Sequence, residues 1–338
     1  MDPVVALREI AYLLERSGGQ TRRAQAYRKA ADVCADLEPE RRAALSASGD
    51  WASLPGVGSS TAAVIRQASA GRLPDRLAEL RASREPLVAG DDPVLGALRG
   101  DLHVHSEWSD GSSSVEEMVL SARALGYEYC AITDHSPRLK VAHGLDADRL
   151  ARQLDLIADL NEVLAPFRIV AGIEVDILDD GSLDQTPAML DRLDVVVASV
   201  HSKLTMDSAA MTRRMVGAIA NPRVNVLGHC TGRLVQGDRG TRPPSVFDAE
   251  VVFEACRHFG VAVEINSRPE RRDPPDDLLA LAAGMGCVFS VGTDAHAPGQ
   301  LEFREYGARR AADAGIDPER IVNTWPVERL LEWTRARS

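Results

Sequence analysis

The hydrophobic texture of the chain changes near residue 100. Before that point apolar residues recur at helical spacing. "VVALREIAYLLERSG" puts Val5, Leu7, Ile10, Leu13 and Leu14 on one face and stops at Gly18 and Gly19, where glycine ends a helix without strain. Further helices are expected over about Arg22 to Leu37 and about Glu40 to Ala47. A tight turn, Pro55-Gly56-Val57-Gly58, then leads into an amphipathic helix that Ser59 or Ser60 can cap. Residues 1–85 therefore read as a small all-α domain. Residues 86–98, mixing Pro, Gly and charge, read as a linker.

Over residues 99–338 short β-branched runs alternate with helical patterns. Strands are expected at 101–105, 129–135, 168–177, 195–201, 224–229, 261–266 and 288–296. Seven β-then-α units predict a parallel (β/α)7 barrel of the TIM-like kind, with an open doubly wound sheet as the competing arrangement.

The ends of these strands carry the candidate chemistry. His103 and His105 end the first, His135 the second, Glu174 the third, His201 the fourth, His229 the fifth, and Asp294 with His296 the seventh. The sixth offers Glu264 and Asn266, and Asp110 follows the first strand in its loop. Of eight histidines in the chain, six fall at these ends, which scattered surface histidines would not do. In a β/α barrel those ends form one rim, so residues distant in sequence meet there. Imidazole and carboxylate without cysteine suit Zn²⁺, Mn²⁺ or Fe²⁺. Nine candidate ligands exceed the needs of one tetrahedral ion, so two or three ions sharing a carboxylate is the economical reading. Such ions clamp the oxygens of an in-line displacement and turn a bound water into hydroxide near neutral pH. That chemistry points to phosphate-ester hydrolysis by a metal-bound hydroxide. Lys203 and Arg233, after the fourth and fifth strands, are candidates for binding phosphate oxygens, and Lys140, His143, Asn266 and Arg268 are weaker candidates for touching substrate.

Composition adds boundaries. No stretch approaches the ~20 apolar residues of a membrane span. The charged N-terminus is not a secretory signal, and five widely spaced cysteines form neither a disulfide framework nor a zinc ribbon, so a cytoplasmic protein with reduced thiols is expected. Net charge is −11, yet residues 1–90 hold 13 Lys/Arg against 11 Asp/Glu. The acidity thus sits in the part that carries the candidate ligands. No phosphate-binding P-loop or dinucleotide fingerprint is present.

The motifs "HVHSEWSDG", "ITDHS", "GIEVD", "SVHS", "GHCTGR" and "GTDAH", in this order, resemble those of PHP-family metallophosphoesterases. "DHSPRLKVAHGL" and the tail "IVNTWPVERLLEW" are similar to the PHP domain of bacterial family X DNA polymerases. The resemblance implies a distorted (β/α)7 barrel with three divalent ions. One ion would take His103, His105, Glu174 and Asp294; a second would share Glu174 and take His201 and His229; the third would take Asp110, His135 and His296. Through "REIAYLLE", "RAQAYRKAA" and "LPGVGSSTAAVI" the first 85 residues resemble that family's helix-hairpin-helix domain. There Gly56, Val57, Gly58, Ser59 and Ser60 would meet DNA phosphates through backbone N–H groups, making residues 53–71 a DNA-binding segment. His143 departs from the family's usual small or amide residue. Ser60 and Val64 stand where relatives with a lyase activity carry lysines, and the roughly 15 residues from Glu85 to Arg99 leave no room for a polymerase palm. Three functions follow as expectations: a DNA phosphoesterase in repair, a small-molecule phosphatase of the histidinol-phosphatase type, or a DNA-binding protein with structural metals.

Overall fold

The structure is a computed structural model that describes residues 1–90, 92–237 and 240–336. The chain divides into two compact units, Met1–Pro86 and Leu87–Ser338. Asp91, Asp238, Arg239, Arg337 and Ser338 lie outside the described residues.

The first unit holds five helices: α1 (Pro3–Ser17), α2 (Thr21–Ala35), α3 (Pro39–Ser48), α4 (Ser59–Ser69) and α5 (Asp75–Ala82). Asp2 starts α1 by accepting the N–H groups of Val4 and Val5, with Pro3 at the first helical position, and Gly18 ends it at φ 69°. Leu7, Ile10 and Leu14 are buried in a core with Trp51, Leu54, Val57 and Ile65, whereas Val5, expected on that face, is 56% exposed. Inside this core Arg28 forms a two-pronged ion pair with Glu15, at 2.5 and 2.7 Å. Neither Ser59 nor Ser60 caps α4. Gly58 occupies the cap position with no side-chain acceptor, because the helix begins at Ser59 itself.

The second unit opens with α6 (Pro93–Ala97), capped by Asp92. This helix forms within the stretch read as a linker because Val94 finds a buried site. Seven strands follow in sequence order, each parallel to the next: β1 (Gly100–Asp101), β2 (Tyr129–Ile132), β3 (Arg168–Asp176), β4 (Val195–Ser199), β5 (Val226–Leu227), β6 (Ala262–Asn266) and β7 (Phe289–Gly292). A parallel bridge between Val104 and Ala295, with the His105 N–H 2.8 Å from the Ala295 carbonyl, brings the last strand to the first. This nearly closed barrel replaces the competing open sheet. After successive strands come α7 (Val115–Ala124), α8 (Ala147–Leu164), α9 (Pro187–Leu190), α10 (Ser208–Ile219), α11 (Ala249–Phe259), α12 (Asp276–Gly284) and α13 (Arg304–Asp313), and α14 (Val327–Arg335) ends the fold. Among the described residues no helix is long and apolar enough to cross a membrane.

Strand residues alternate between two cores. Leu102, Tyr129, Ala131, Val170, Val195, Val197, Val226 and Ala262 share one with the tail residues Val322, Trp325 and Leu330. Cys130, Ile132, Ile173, Val196, Ala198 and Phe289 join the other, with residues of the surrounding helices. Following the first set two residues at a time toward the C-terminal ends, it turns from apolar to polar: Ala131 to His135, Val170 to Glu174, Val197 to His201, Ala262 to Glu264. Regular pairing stops earlier than the sequence pattern suggests, after Asp101 and after Leu227. Side-chain acceptors take over the backbone there. Asp101 Oδ1 accepts the His103 N–H at 3.0 Å and Glu264 Oε2 the His229 N–H at 2.6 Å.

The other end of the barrel is tied by Asn323, which is fully buried. Its amide donates to the carbonyls of Gly100 and Val291, each at 3.1 Å, and its Oδ1 accepts the Val291 N–H at 2.8 Å. Asn323→Ala leaves these groups of β1 and β7 unpaired in the interior, so the urea unfolding midpoint should fall by the equivalent of about 3 kcal/mol. A loss too small to measure would mean that Asn323 does not hold the two strands together.

Candidate metal centre

The early strand endings at β1 and β5 turn His103, His105 and His229 toward the side chains that β2, β3, β4 and β7 deliver by simple alternation. At the middle stands Glu174, 1% exposed. Its Oε1 lies 2.9 Å from His229 Nε2 and 3.2 Å from His201 Nε2. Its Oε2 lies 2.9 Å from His135 Nδ1, 3.4 Å from His103 Nε2 and 3.6 Å from His105 Nε2. Asp294 Oδ1 is 3.5 Å from His105 Nε2. Asp110, on the loop after β1, sets Oδ1 3.3 Å from His296 Nε2 and 3.5 Å from His135 Nε2. All nine rim candidates named from the sequence are thus brought together.

Among the described residues three sets have ligand atoms all within 4.8 Å of one another: His105, Asp110, His135 and His296; His103, His105 and Asp294; His135, Glu174 and His201. Both Glu174 oxygens make no hydrogen bond despite being buried, and neither do Nε2 of His103 nor either ring nitrogen of His105, His201 and His229. Buried polar atoms are rarely left so. Atoms that converge without pairing, all of them imidazole nitrogens and carboxylate oxygens, fit divalent cations.

The electrostatics follow from crowding. Burial lowers the proton affinity of His103 and His201, but nearby carboxylates outweigh it. Glu264 and Glu174 push His103 well above the ordinary histidine range, while Glu174 and Asp176 push His201 up to about 9. His105, buried with His296 and His135 alongside, falls to about 3. Burial and Arg271 lower His229. Burial alone would raise Glu174, but the charge of His201, His103 and His135 holds it well below the usual carboxylate range. Arg271 and Arg268 do the same for Asp294.

A surrounding layer fixes these side chains, and much of it escapes sequence reading. Glu264 Oε1 accepts from His103 Nδ1 at 2.5 Å and Asp176 Oδ1 lies 3.3 Å from His201 Nδ1, each turning the opposite ring nitrogen toward Glu174. Gly292 makes room: a β-carbon there would lie 2.3 Å from Glu264 Oε1 and 2.9 Å from His103 Cβ. Arg271 Nε donates to Asp294 Oδ2 at 2.9 Å; its only sequence signal is its place after the sixth strand. Asp294 itself sits at φ 51°, strained for a residue with a β-carbon.

The cationic candidates separate. Asn266 and Arg268 touch the centre, through Asn266 Nδ2 to Asp294 Oδ2 at 3.2 Å and Arg268 Nη1 to His296 Nδ1 at 3.0 Å. Lys203 is exposed and paired with Asp179. Arg233 donates to the carbonyls of Arg271 and Arg272. Lys140 and His143 are exposed on a loop joined to the centre through its backbone, the Leu145 N–H lying 2.7 Å from the His135 carbonyl. In the first unit Gly56, Gly58, Ser59 and Ser60 are exposed and Val57 is buried. Gly56 has φ 91°, and the Lys29 side chain crosses it so closely that a β-carbon would meet Cε at 2.8 Å.

Residues 101–268 match the family described as PHP domain, and residues 2–71 the family described as Helix-hairpin-helix domain. The "DNA polymerase/3'-5' exonuclease PolX" of Bacillus subtilis is 36% identical over 249 residues, 72% of this chain but 43% of that protein. The chain thus spans less than half of that relative. The "Probable phosphatase YcdX" of Escherichia coli is 30% identical over 253 residues, 70% of this chain and 94% of that protein. Among solved structures, a histidinol phosphate phosphatase from Lactococcus lactis, complexed with zinc, L-histidinol and phosphate, covers 65% of this chain and 94% of its own at 18% identity and a TM-score of 0.45.

A nitrogen that holds a proton cannot also hold a cation. With His103 raised and His201 near 9, binding of divalent ions at pH 7 should release about two protons, and fewer as pH rises past 9. Titration calorimetry in two buffers of different ionisation enthalpy reads this directly. Binding without proton release at pH 7 would contradict the charge state assigned to these histidines.

Proposed function

The chain belongs to the PHP-domain family and is a hydrolase of phosphate ester bonds, and we propose that its substrate is DNA, processed at 3′ ends or abasic sites. The carrying observation is the convergence of nine side chains, with Glu174 at the middle and buried ligand atoms left without hydrogen bonds, in a chain that also carries a helix-hairpin-helix match. We propose three ions: one held by His103, His105, Glu174 and Asp294, one by Glu174, His201 and His229, and one by Asp110, His135 and His296. Zn²⁺, Mn²⁺ and Fe²⁺ all suit these donors. When bound, such ions supply Lewis acidity to the phosphate and acidify coordinated water.

The chain's own residues supply the rest. Arg268 and Arg271 fix the Asp294 carboxylate, and Arg268, at the edge of the centre, presents its charge to a phosphate oxygen. Lys203 and Arg233, on the loops after β4 and β5, would reach a phosphate only by leaving their present partners, Asp179 and the carbonyls of Arg271 and Arg272. In the helical unit, the uncapped start of α4 after Gly58 offers backbone N–H groups to a DNA phosphate without reading bases. Five free, buried cysteines support a reducing, cytoplasmic setting.

The Escherichia coli relative, of which this chain covers 94%, favours a second reading, a small-molecule phosphatase. Pure protein with Mn²⁺ or Zn²⁺ should shorten 3′-labelled oligonucleotides; turnover of histidinol phosphate with intact DNA would replace the first reading by the second. Asp294→Asn tolerates φ 51° and should keep the circular dichroism of the native fold while lowering turnover by about 100-fold or more. Full activity would refute the ligand assignment. Deleting residues 1–85 should weaken action on DNA and spare a generic phosphate ester; equal effects on both would exclude the hairpin as a DNA-binding element.

A further inference from the structure

Beside the centre lies a cavity of about 360 Å³, lined in part by Asn266, Ser267, Arg268, Arg272, Tyr306 and Arg309, within the ~300–1,000 Å³ range of ligand pockets. The two sites share a wall. Asn266 and Arg268 line the cavity and also contact Asp294, through its Oδ2 at 3.2 Å and its carbonyl at 3.0 Å.

The lining is basic. Among the described residues, Arg268, Arg272, Arg309 and Arg310 border the cavity against a single carboxylate, Asp313. Each guanidinium is braced by neighbours. Arg310 donates to Asp276 and to the Asp273 carbonyl, Arg272 lies 3.8 Å from Asp276, Arg309 donates to the Ala89 carbonyl and lies 3.7 Å from Asp92, and Arg268 lies 3.6 Å from Glu270. Asp276, Asp92 and Glu270 do not line the cavity. The arginines are therefore held in place by carboxylates behind them, and a lining rich in guanidinium donors suits an anion with several acceptor oxygens.

Arg272 holds φ 47° in a turn that its own N–H closes on the Arg268 carbonyl at 3.0 Å, which leaves its side chain 57% exposed. Ser267 Oγ is buried against Gly307 of α13 and makes no hydrogen bond. Tyr306 and Pro269 add a ring and an apolar wall beside the charges.

Resting on the phosphoesterase reading above, we propose that this cavity binds the phosphate adjacent to the scissile one in a nucleic-acid strand, with the attached nucleoside against Tyr306 and Pro269. The centre then acts on a phosphodiester chain, and a substrate with one phosphate leaves the cavity unfilled.

Two variants test this. Arg272→Gly removes the guanidinium and suits the backbone at φ 47°, so loss of fold does not confuse the result. Arg309→Gln removes a second charge, from the half-buried Arg309 of α13. Each should raise KM about tenfold, ~1.4 kcal/mol, for a 5′-phosphorylated trithymidylate with kcat within about twofold. For thymidine 5′-(p-nitrophenyl) phosphate, a diester with no neighbouring phosphate, KM should not move. Equal changes for both substrates, or none for either, would overturn the proposal. Direct binding of the trithymidylate in EDTA separates it from the hydrolytic reading. Tenfold weaker binding by Arg272→Gly than by the native chain supports the cavity even if no ester is hydrolysed, and equal binding overturns it even if hydrolysis is seen.

Discussion

A carboxylate buried to 1% exposure and faced by five imidazoles sets the terms for the rest of this molecule. Burying a charge without compensation is costly, and Glu174 takes its compensation from ring nitrogens supplied by four other strand ends. Every one of those ends must stop at the same height. The parallel registers accomplish this: Glu174 pairs with Val197 and bridges His135, so that two residues past Ser199 the chain delivers His201. The barrel brings these histidines together, and Glu174 is the group on which they converge.

Orientation comes from a second ring of interactions. Glu264 turns His103 and also receives the His229 backbone N–H, so one side chain of β6 serves the end of β5 beside it and the end of β1 beyond β7. Asp176 turns His201, and two arginines restrain Asp294. These contacts explain why β6, which supplies none of the nine side chains, is still needed. Its Asn266 and the following Arg268 then extend the polar surface from the centre into the arginine-lined cavity.

The β/α alternation was legible because each barrel strand is a short apolar run bounded by helical patterns, and the histidines stood out because they are scarce and sit at run ends. Less legible was where pairing stops. A pattern such as "DLHVH" reads as strand to its last residue, yet Asp101 takes the His103 N–H and ends the ladder at the first residue of that run. The roles of Glu264, Asp176 and Arg271 were hidden for a related reason, since each acts across strands and depends on distances that spacing in one segment does not encode. Ser59 and Ser60 looked like caps because serine is a good one, but the helix starts one position too early to use them.

If Glu174 is the shared ligand that organises the centre, removing its charge should empty more than one position. The direct measurement is the metal content of native protein and of Glu174→Gln after equilibration with Mn²⁺ or Zn²⁺ and exhaustive dialysis, read by elemental mass spectrometry. The account predicts about three ions per native chain and at most about one in the variant, with the fold retained. Equal metal content in the two proteins would contradict it.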